Sequence, residues 1–188
     1  GAGKTMFALQ FLVHHAAQGR AGVFVTFEES LEAVRMNAAT LGWDLAALEA
    51  KGLLFLYRAR LDPDAVTSGE FSLVGLMTVL DGKARSMGAK ILVMDALDIL
   101  MKRFEGPERA RAQLNLLHDW LDAKATTAVL SVKLTDDAMH LEHIVDCVVQ
   151  LDHRVAEQIS TRRLRVLKYR GSGFASNEFP YVIGPRGV

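Results

Sequence analysis

The chain has 188 residues, half of them hydrophobic and 23% charged, and its 22 basic and 22 acidic side chains leave a formal net charge of zero. This is the composition of one globular domain with a sizeable core, and the balanced charge removes any global attraction to nucleic acid or to an anionic membrane. The single cysteine, Cys147, excludes an intrachain disulfide, fits a reducing cytoplasm and, within an apolar stretch, reads as a buried small hydrophobe; no apolar run is long enough to span a membrane.

The chain opens on Gly1-Ala2-Gly3-Lys4-Thr5, the second half of a phosphate-binding loop of the form G-x-x-x-x-G-K-[ST]. The glycines let the backbone approach a phosphate. The loop leads into a helix whose unpaired N–H groups and dipole face the anion. Lys4 is expected to reach the β- and γ-phosphates and Thr5 to bind Mg²⁺. The first glycine of the pattern would lie ahead of Gly1, and there is no initiator Met. The expectation is therefore a piece of a longer chain that begins inside its own nucleotide site, lacks the strand beneath the loop, and binds ATP weakly or not at all by itself.

Residues 5–18 read as a helix, with Phe7, Ala8, Phe11 and Leu12 at helical spacing and Gly19 as its stop. Adjacent His14 and His15 face different ways on a helix and do not suggest a metal pair. Residues 22–27 form a continuous apolar, β-branched run, expected to be a buried strand, and Glu28 and Glu29 follow at its end. Ser30 caps a helix to about Leu41, stopped by Gly42. Trp43 and Leu45 are expected to pack nearby, and residues 53–57 to form a second strand.

Residues 58–71 read as a loop. Residues 72–87 are amphipathic, with Leu73, Leu76, Met77, Leu80 and Ala84 on one face and Gly88 at the end. A strand over 90–95 ends in Asp95, the pattern of a carboxylate delivered to Mg²⁺. A loop over 101–106 leads to a helix from Pro107 with Leu114, Leu117 and Leu121 as its apolar stripe. Strands follow at 126–132 and 144–151, separated by a polar loop at 133–140. A turn at 155–157, an alternating strand at 161–169 and a last strand at 179–183 close the chain. The order predicts an α/β fold of one domain over 1–188, a mostly parallel sheet flanked by helices with a C-terminal antiparallel extension.

Three sets of residues besides the opening loop and Asp95 carry candidate chemistry. Glu28 and Glu29 stand at the C-terminal end of a strand, where such sheets place ligands. One of them can face the attacking water and the other a neighbour or Mg²⁺, or one or both can be first-turn acids of the next helix. Lys168 and Arg170 share a strand face with Arg162, Leu164 and Val166, opposite Arg163, Arg165 and Tyr169. That pair fits cations offered to a neighbouring subunit's ATP, a solvated basic strand, or a nucleic-acid strip.

Gly3-Lys4-Thr5, residues 22–29 ending in Thr-Phe-Glu-Glu, Gly42-Trp-Asp-Leu45, Ile91-Leu-Val-Met-Asp95, residues 167–172 (Leu-Lys-Tyr-Arg-Gly-Ser) and Glu178-Phe-Pro-Tyr181 together resemble the KaiC-like branch of the RecA-type ATPases, over essentially the whole chain. The resemblance is to the first, ATPase half of the tandem clock proteins. It implies a RecA-like P-loop fold, ATP and Mg²⁺ as ligands, and a homohexameric ring with ATP between subunits. Regulatory protein partners are also implied. On it, Gly1, Ala2, Gly3, Lys4 and Thr5 bind phosphate, and Thr5 and Asp95 hold Mg²⁺. Glu28 and Glu29 match the catalytic glutamates, and Lys168 and Arg170 the pair acting in trans. Ser131 stands at a phosphate-sensing position, followed by Val132 where relatives carry an acid. Glu142-His143 replaces the Ser-Thr phosphorylation pair of the second half, which argues against autophosphorylation.

The alternative on the same fold is a recombinase or helicase motor acting on DNA. Such motors line a channel with basic, Gly-rich loops. The corresponding segments, 133–140 and 101–106, are short and of mixed charge, so the expected function is an ATP-hydrolysing regulator.

Overall fold

The computed structural model describes residues 1–60, 72–104, 106–133, 141–185 and 187–188. The loops expected at 58–71 and 133–140 fall mostly outside the described residues. Among the described residues the elements follow in chain order: α1 (Lys4–Ala17), β1 (Gly22–Thr26), α2 (Leu31–Ala39), α3 (Leu45–Ala50), β2 (Leu54–Arg58), α4 (Leu73–Met87), β3 (Ile91–Asp95), α5 (Leu97–Met101), α6 (Pro107–Ala123), β4 (Thr127–Leu130), α7 (Leu141–Ile144), β5 (Cys147–Ala156), β6 (Ile159–Tyr169) and β7 (Phe179–Tyr181).

The first four strands form a parallel sheet in the order β2-β1-β3-β4. Every residue of β1 and β3 is buried, as expected of parallel strands covered on both faces. Side chains alternate between those faces. Val23, Val25, Leu92 and Met94 join Leu76, Met77 and Leu80 of α4, Leu97 and Leu100 of α5, and Leu114 and Leu117 of α6. Phe24, Ile91 and Val93 join Leu9 and Leu12 of α1, Val34 of α2 and Leu45 of α3. The expected apolar faces of α4 and α6 are thus the faces that pack. Ser30 and Ser72 cap α2 and α4 through their hydroxyls, and Gly88 ends α4 in the left-handed region.

The last three strands form a separate antiparallel sheet, β5-β6-β7. The α/β architecture with a C-terminal antiparallel extension is the one the sequence predicts.

Several local expectations are corrected. The hairpin turns at Glu157 and Gln158, both with positive φ, and not at 155–157. Val155 and Ala156 stay in the ladder, opposite Ser160 and Ile159. A two-residue turn of this kind normally advertises itself with Asn-Gly, and Glu-Gln does not. Residue 144 ends a helix instead of starting a strand, because α7 intervenes. Cys147 is exposed, not buried, since β5 pairs with β6 on one side and begins at the surface. Two short helices, α3 and α5, have no counterpart among the expected elements; α3 contributes buried Leu45 and α5 buried Leu97 and Leu100.

Among the described residues, no helix is long and apolar enough to cross a membrane.

Candidate functional site

In-register pairing of β1 with β3 sets Thr26 opposite Asp95 at the C-terminal end of the sheet. Both are buried: Thr26 is fully covered and Asp95 is 3% exposed. A carboxylate so placed needs partners, and Asp95 has them. The Thr5 hydroxyl, in the first turn of α1, donates to Asp95 Oδ2 at 2.9 Å. The Ser131 hydroxyl, just beyond β4, donates to Asp95 Oδ1 at 2.5 Å. Ser131 Oγ in turn accepts from the N–H of Ala96 at 2.9 Å. Ala96 itself sits in the left-handed region at φ 60°, a conformation unusual for a residue with a Cβ. The Ser131 bond is one of the contacts that hold it there. The phosphate loop, β3 and β4 therefore meet on one carboxylate.

Thr26 organises the pair of glutamates. Its Oγ1 accepts from the N–H groups of Glu28 at 3.3 Å and Glu29 at 3.1 Å, so the backbone turns sharply as it leaves β1. The Phe27 N–H donates to the Asp95 carbonyl at 3.3 Å, which fastens this turn to β3. Glu28 is exposed and Glu29 half-buried. Burial, then the charges of Asp95 and Glu28, push the Glu29 carboxyl above its ordinary value, against a weaker opposing bond from Asn37. The two glutamates thus occupy unlike environments, set by the turn that Thr26 closes.

Gly1, Ala2, Gly3, Lys4 and Thr5 form one continuous edge at the start of α1. Gly3 is the N-cap residue at φ 83°. Any larger residue there is strained, and a Cβ would lie 2.5 Å from Ile183 Cδ1. The Gly3 carbonyl accepts from Phe7 N–H at 2.9 Å, starting the helix.

Lys168 and Arg170 lie elsewhere, Lys168 near the end of β6 and Arg170 just beyond it. Lys168 Nζ donates to the Glu142 carbonyl at 2.6 Å and the His143 carbonyl at 3.4 Å. Arg170 donates to the His143 carbonyl at 2.9 Å and to Asp146 Oδ1 at 3.3 Å. Cations at the C-terminal carbonyls of α7 satisfy groups that helix ends leave unpaired. Lys168 has three N–H donors and Arg170 five, so both retain donors for a further acceptor. On β6 the residues Arg162, Leu164, Val166 and Lys168 are half-buried and Arg163, Arg165, Leu167 and Tyr169 exposed, the two faces expected from alternation.

Sequence reasoning missed four residues of this region. Thr26 is a hydroxyl at the end of an apolar run, a signal that was present. Asp98 is buried, with Oδ1 accepting from Lys133 N–H at 3.0 Å and Lys102 Nζ 3.9 Å from Oδ2. Its mark was an acid three places after Asp95 in an apolar segment. Tyr181 donates to the Ala2 carbonyl and Arg162 Nε to the Gly1 carbonyl at 3.3 Å. No local pattern announces contacts spanning nearly the whole chain. A cavity of about 380 Å³, lined by Phe11, His15, Arg20, Ile91 and Thr127 among others, opens at the opposite end of the strands and has no part in this cluster. Among the described residues no group of three or more His, Cys, Asp or Glu is arranged to hold a metal, so a cation here would rest on a hydroxyl, one carboxylate and water.

A family model described as the ATPase KaiC matches residues 1–188. The whole chain is 34% identical over 194 residues to circadian clock protein KaiC2 of Synechocystis sp., covering 34% of that protein. It is 32% identical to the circadian clock oscillator protein KaiC of Prochlorococcus marinus, covering 38%, and 30% identical to KaiC3 of Synechocystis sp., covering 39%. The chain thus spans between a third and two fifths of the curated relatives it matches. With its α/β fold, its G-K-T helix start and its buried strand-end aspartate, the chain belongs to the KaiC ATPase family.

Proposed function

We propose that this chain is the ATP-hydrolysing module of a ring-forming regulatory protein, with MgATP bound where subunits meet. The observation that carries the reading is the Thr5–Asp95–Ser131 chain of hydrogen bonds at the C-terminal end of the parallel sheet. It gathers a phosphate-loop hydroxyl, a strand-end carboxylate and a β4 hydroxyl at one point, beside the Glu28–Glu29 turn.

Each residue then has a role. The N–H groups at the start of α1 and the Lys4 ammonium bind the β- and γ-phosphates. Thr5 and Asp95 are hard oxygen donors that suit Mg²⁺, an ion that prefers few protein ligands and several waters. When bound, Mg²⁺ neutralises charge on the phosphate oxygens. Glu29, its proton affinity raised by burial and by Asp95, is the better placed of the two glutamates to take a proton from an attacking water, and exposed Glu28 orients that water. Ser131 reports on the metal-side carboxylate through Asp95. Lys168 and Arg170 extend their remaining donors to the nucleotide of the adjoining subunit, as the family resemblance implies. Homohexamer formation, regulatory partners and a cytoplasmic setting belong to the same reading, in which turnover alters subunit contacts and partner binding.

The test is the double substitution Glu28→Gln with Glu29→Gln in the full-length protein. Hydrolysis is expected to fall by at least about a hundredfold, the scale of general-base loss, while ATP still binds. An unchanged turnover rate refutes the assignment.

A further inference from the structure

The outward side of the phosphate loop is occupied by the antiparallel sheet of the same chain. Arg162 of β6 and Tyr181 of β7 are directly opposite one another in the β6–β7 ladder. Arg162 Nε donates to the Gly1 carbonyl and Tyr181 Oη to the Ala2 carbonyl. The next carbonyl, that of Gly3, is taken by Phe7 N–H. Three successive loop carbonyls therefore have donors, two of them supplied by one cross-strand pair.

In a trans peptide the C=O of one residue and the N–H of the next point in opposite directions, and the chain has no cis peptide bond among its described residues. A donor on the Gly1 carbonyl therefore fixes where the Ala2 N–H points, and a donor on the Ala2 carbonyl fixes the Gly3 N–H. The Gly3 carbonyl, held in the helix, does the same for Lys4 N–H. These three N–H groups have no acceptor among the described residues, and Gly3 is in the left-handed conformation. Successive N–H groups around such a residue form a concave anion nest.

We propose that Tyr181 and Arg162 are positioning residues for phosphate recognition: by holding the Gly1 and Ala2 carbonyls outward they pre-orient the Ala2 and Gly3 N–H groups toward the phosphates. Burial raises the Tyr181 phenol above its ordinary value, partly offset by the nearby Arg162 charge, so the hydroxyl remains a donor at neutral pH. Ile183, against Gly3, completes the seat. The nest is then organised before nucleotide arrives, and little ordering is left to binding.

This inference rests on the phosphate-loop reading, and the experiment separates the two. Tyr181→Phe in the full-length protein removes only the hydroxyl. Its ADP dissociation constant is expected to rise about five- to tenfold, the effect of one lost net hydrogen bond. The ³¹P resonance of the bound β-phosphate is expected to shift, with circular dichroism and assembly unchanged. A merely structural tyrosine would not move that resonance. Lys4→Ala is measured alongside. If Lys4→Ala abolishes ADP binding while Tyr181→Phe keeps wild-type affinity and an unshifted resonance, the positioning role is overturned and the phosphate loop stands. If Lys4→Ala binds ADP like wild type, the phosphate-loop reading itself falls, and this inference with it.

Discussion

The parallel sheet and the antiparallel sheet of this chain obey different rules. In β1 and β3 every side chain is buried, and the polar ones, Thr26 and Asp95, occupy the last position of each strand. In β5 and β6 no residue is fully buried, exposed and half-buried positions alternate along β6 from Arg162 to Tyr169, and large apolar residues such as Val155, Ile159 and Leu167 face outward. A strand covered on both faces can present chemistry only at its end. A strand that is nowhere fully buried can present it anywhere along its length, and β6 does so twice from its half-buried face, with Arg162 at the phosphate loop and Lys168 near α7. The first sheet gives the candidate site its rigidity. The second carries Lys168, the cation that the proposed function offers, with Arg170, to a neighbouring subunit.

That contrast is broken most severely by the cations. Lys168→Ala with Arg170→Ala is expected to reduce turnover by about a thousandfold, the low end of the effect of a group donated to a phosphoryl transition state. The fold should survive, because Arg170 is 54% exposed and its ion pair with Asp146 is of the weak surface kind. Mixing this variant with Lys4→Ala subunits is expected to restore part of the activity, because under the proposed function each supplies what the other lacks at a site between subunits. Absence of rescue at every mixing ratio would place the two cations in a purely local role.

Core truncation sharpens the comparison from the stability side. Phe24 is wholly buried in the parallel sheet, and Phe24→Ala is expected to cost about 3–5 kcal/mol. Val155, 68% exposed in the antiparallel sheet, is expected to change stability by less than about 0.5 kcal/mol when cut to Ala. Urea unfolding of both variants checks the pair. Similar losses at the two positions would mean that Val155 is covered in the assembled protein.

The same difference governs what was legible in the sequence. Continuous apolar runs ending in a polar residue marked β1 and β3, and with them Asp95 and the glutamates, because a doubly covered strand leaves no room for polar side chains except at its end. The amphipathic faces of α4 and α6 were equally plain. The failures are local or very long-range. The Glu157–Gln158 turn has no glycine or asparagine to announce it. The helices α3 and α5 are too short for periodicity to show, and Leu97 and Leu100 owe their burial to tertiary packing against α4 and α6. The Tyr181–Ala2 and Arg162–Gly1 contacts join the two ends of the chain, where no spacing rule applies. Asp98 and Thr26 were readable as anomalies, polar residues in apolar company, but the partners that satisfy them were not.

The smallest expected effect concerns the cost of holding Glu29 where it is. Its carboxyl is pushed above the ordinary value, chiefly by burial and then by Asp95 and Glu28. A folded-state value above the unfolded one means that ionising this group disfavours the fold. The penalty is absent below the ordinary glutamate range, grows as pH rises through that range, and is complete above the raised folded value. Glu29→Gln keeps an acceptor for Asn37 and removes the charge, so at pH near 7 the melting temperature is expected to rise by about 1–2 °C. At about pH 3, where both states carry the neutral acid, variant and wild type should melt together. The half-exposure of the group keeps the effect small through solvent screening. A gain in stability accompanied by loss of turnover would mark Glu29 as a residue retained for its chemistry against the preference of the fold. A variant less stable than wild type at neutral pH would show instead that the carboxylate holds the β1–α2 turn, and the proton-accepting role would have to pass to Glu28.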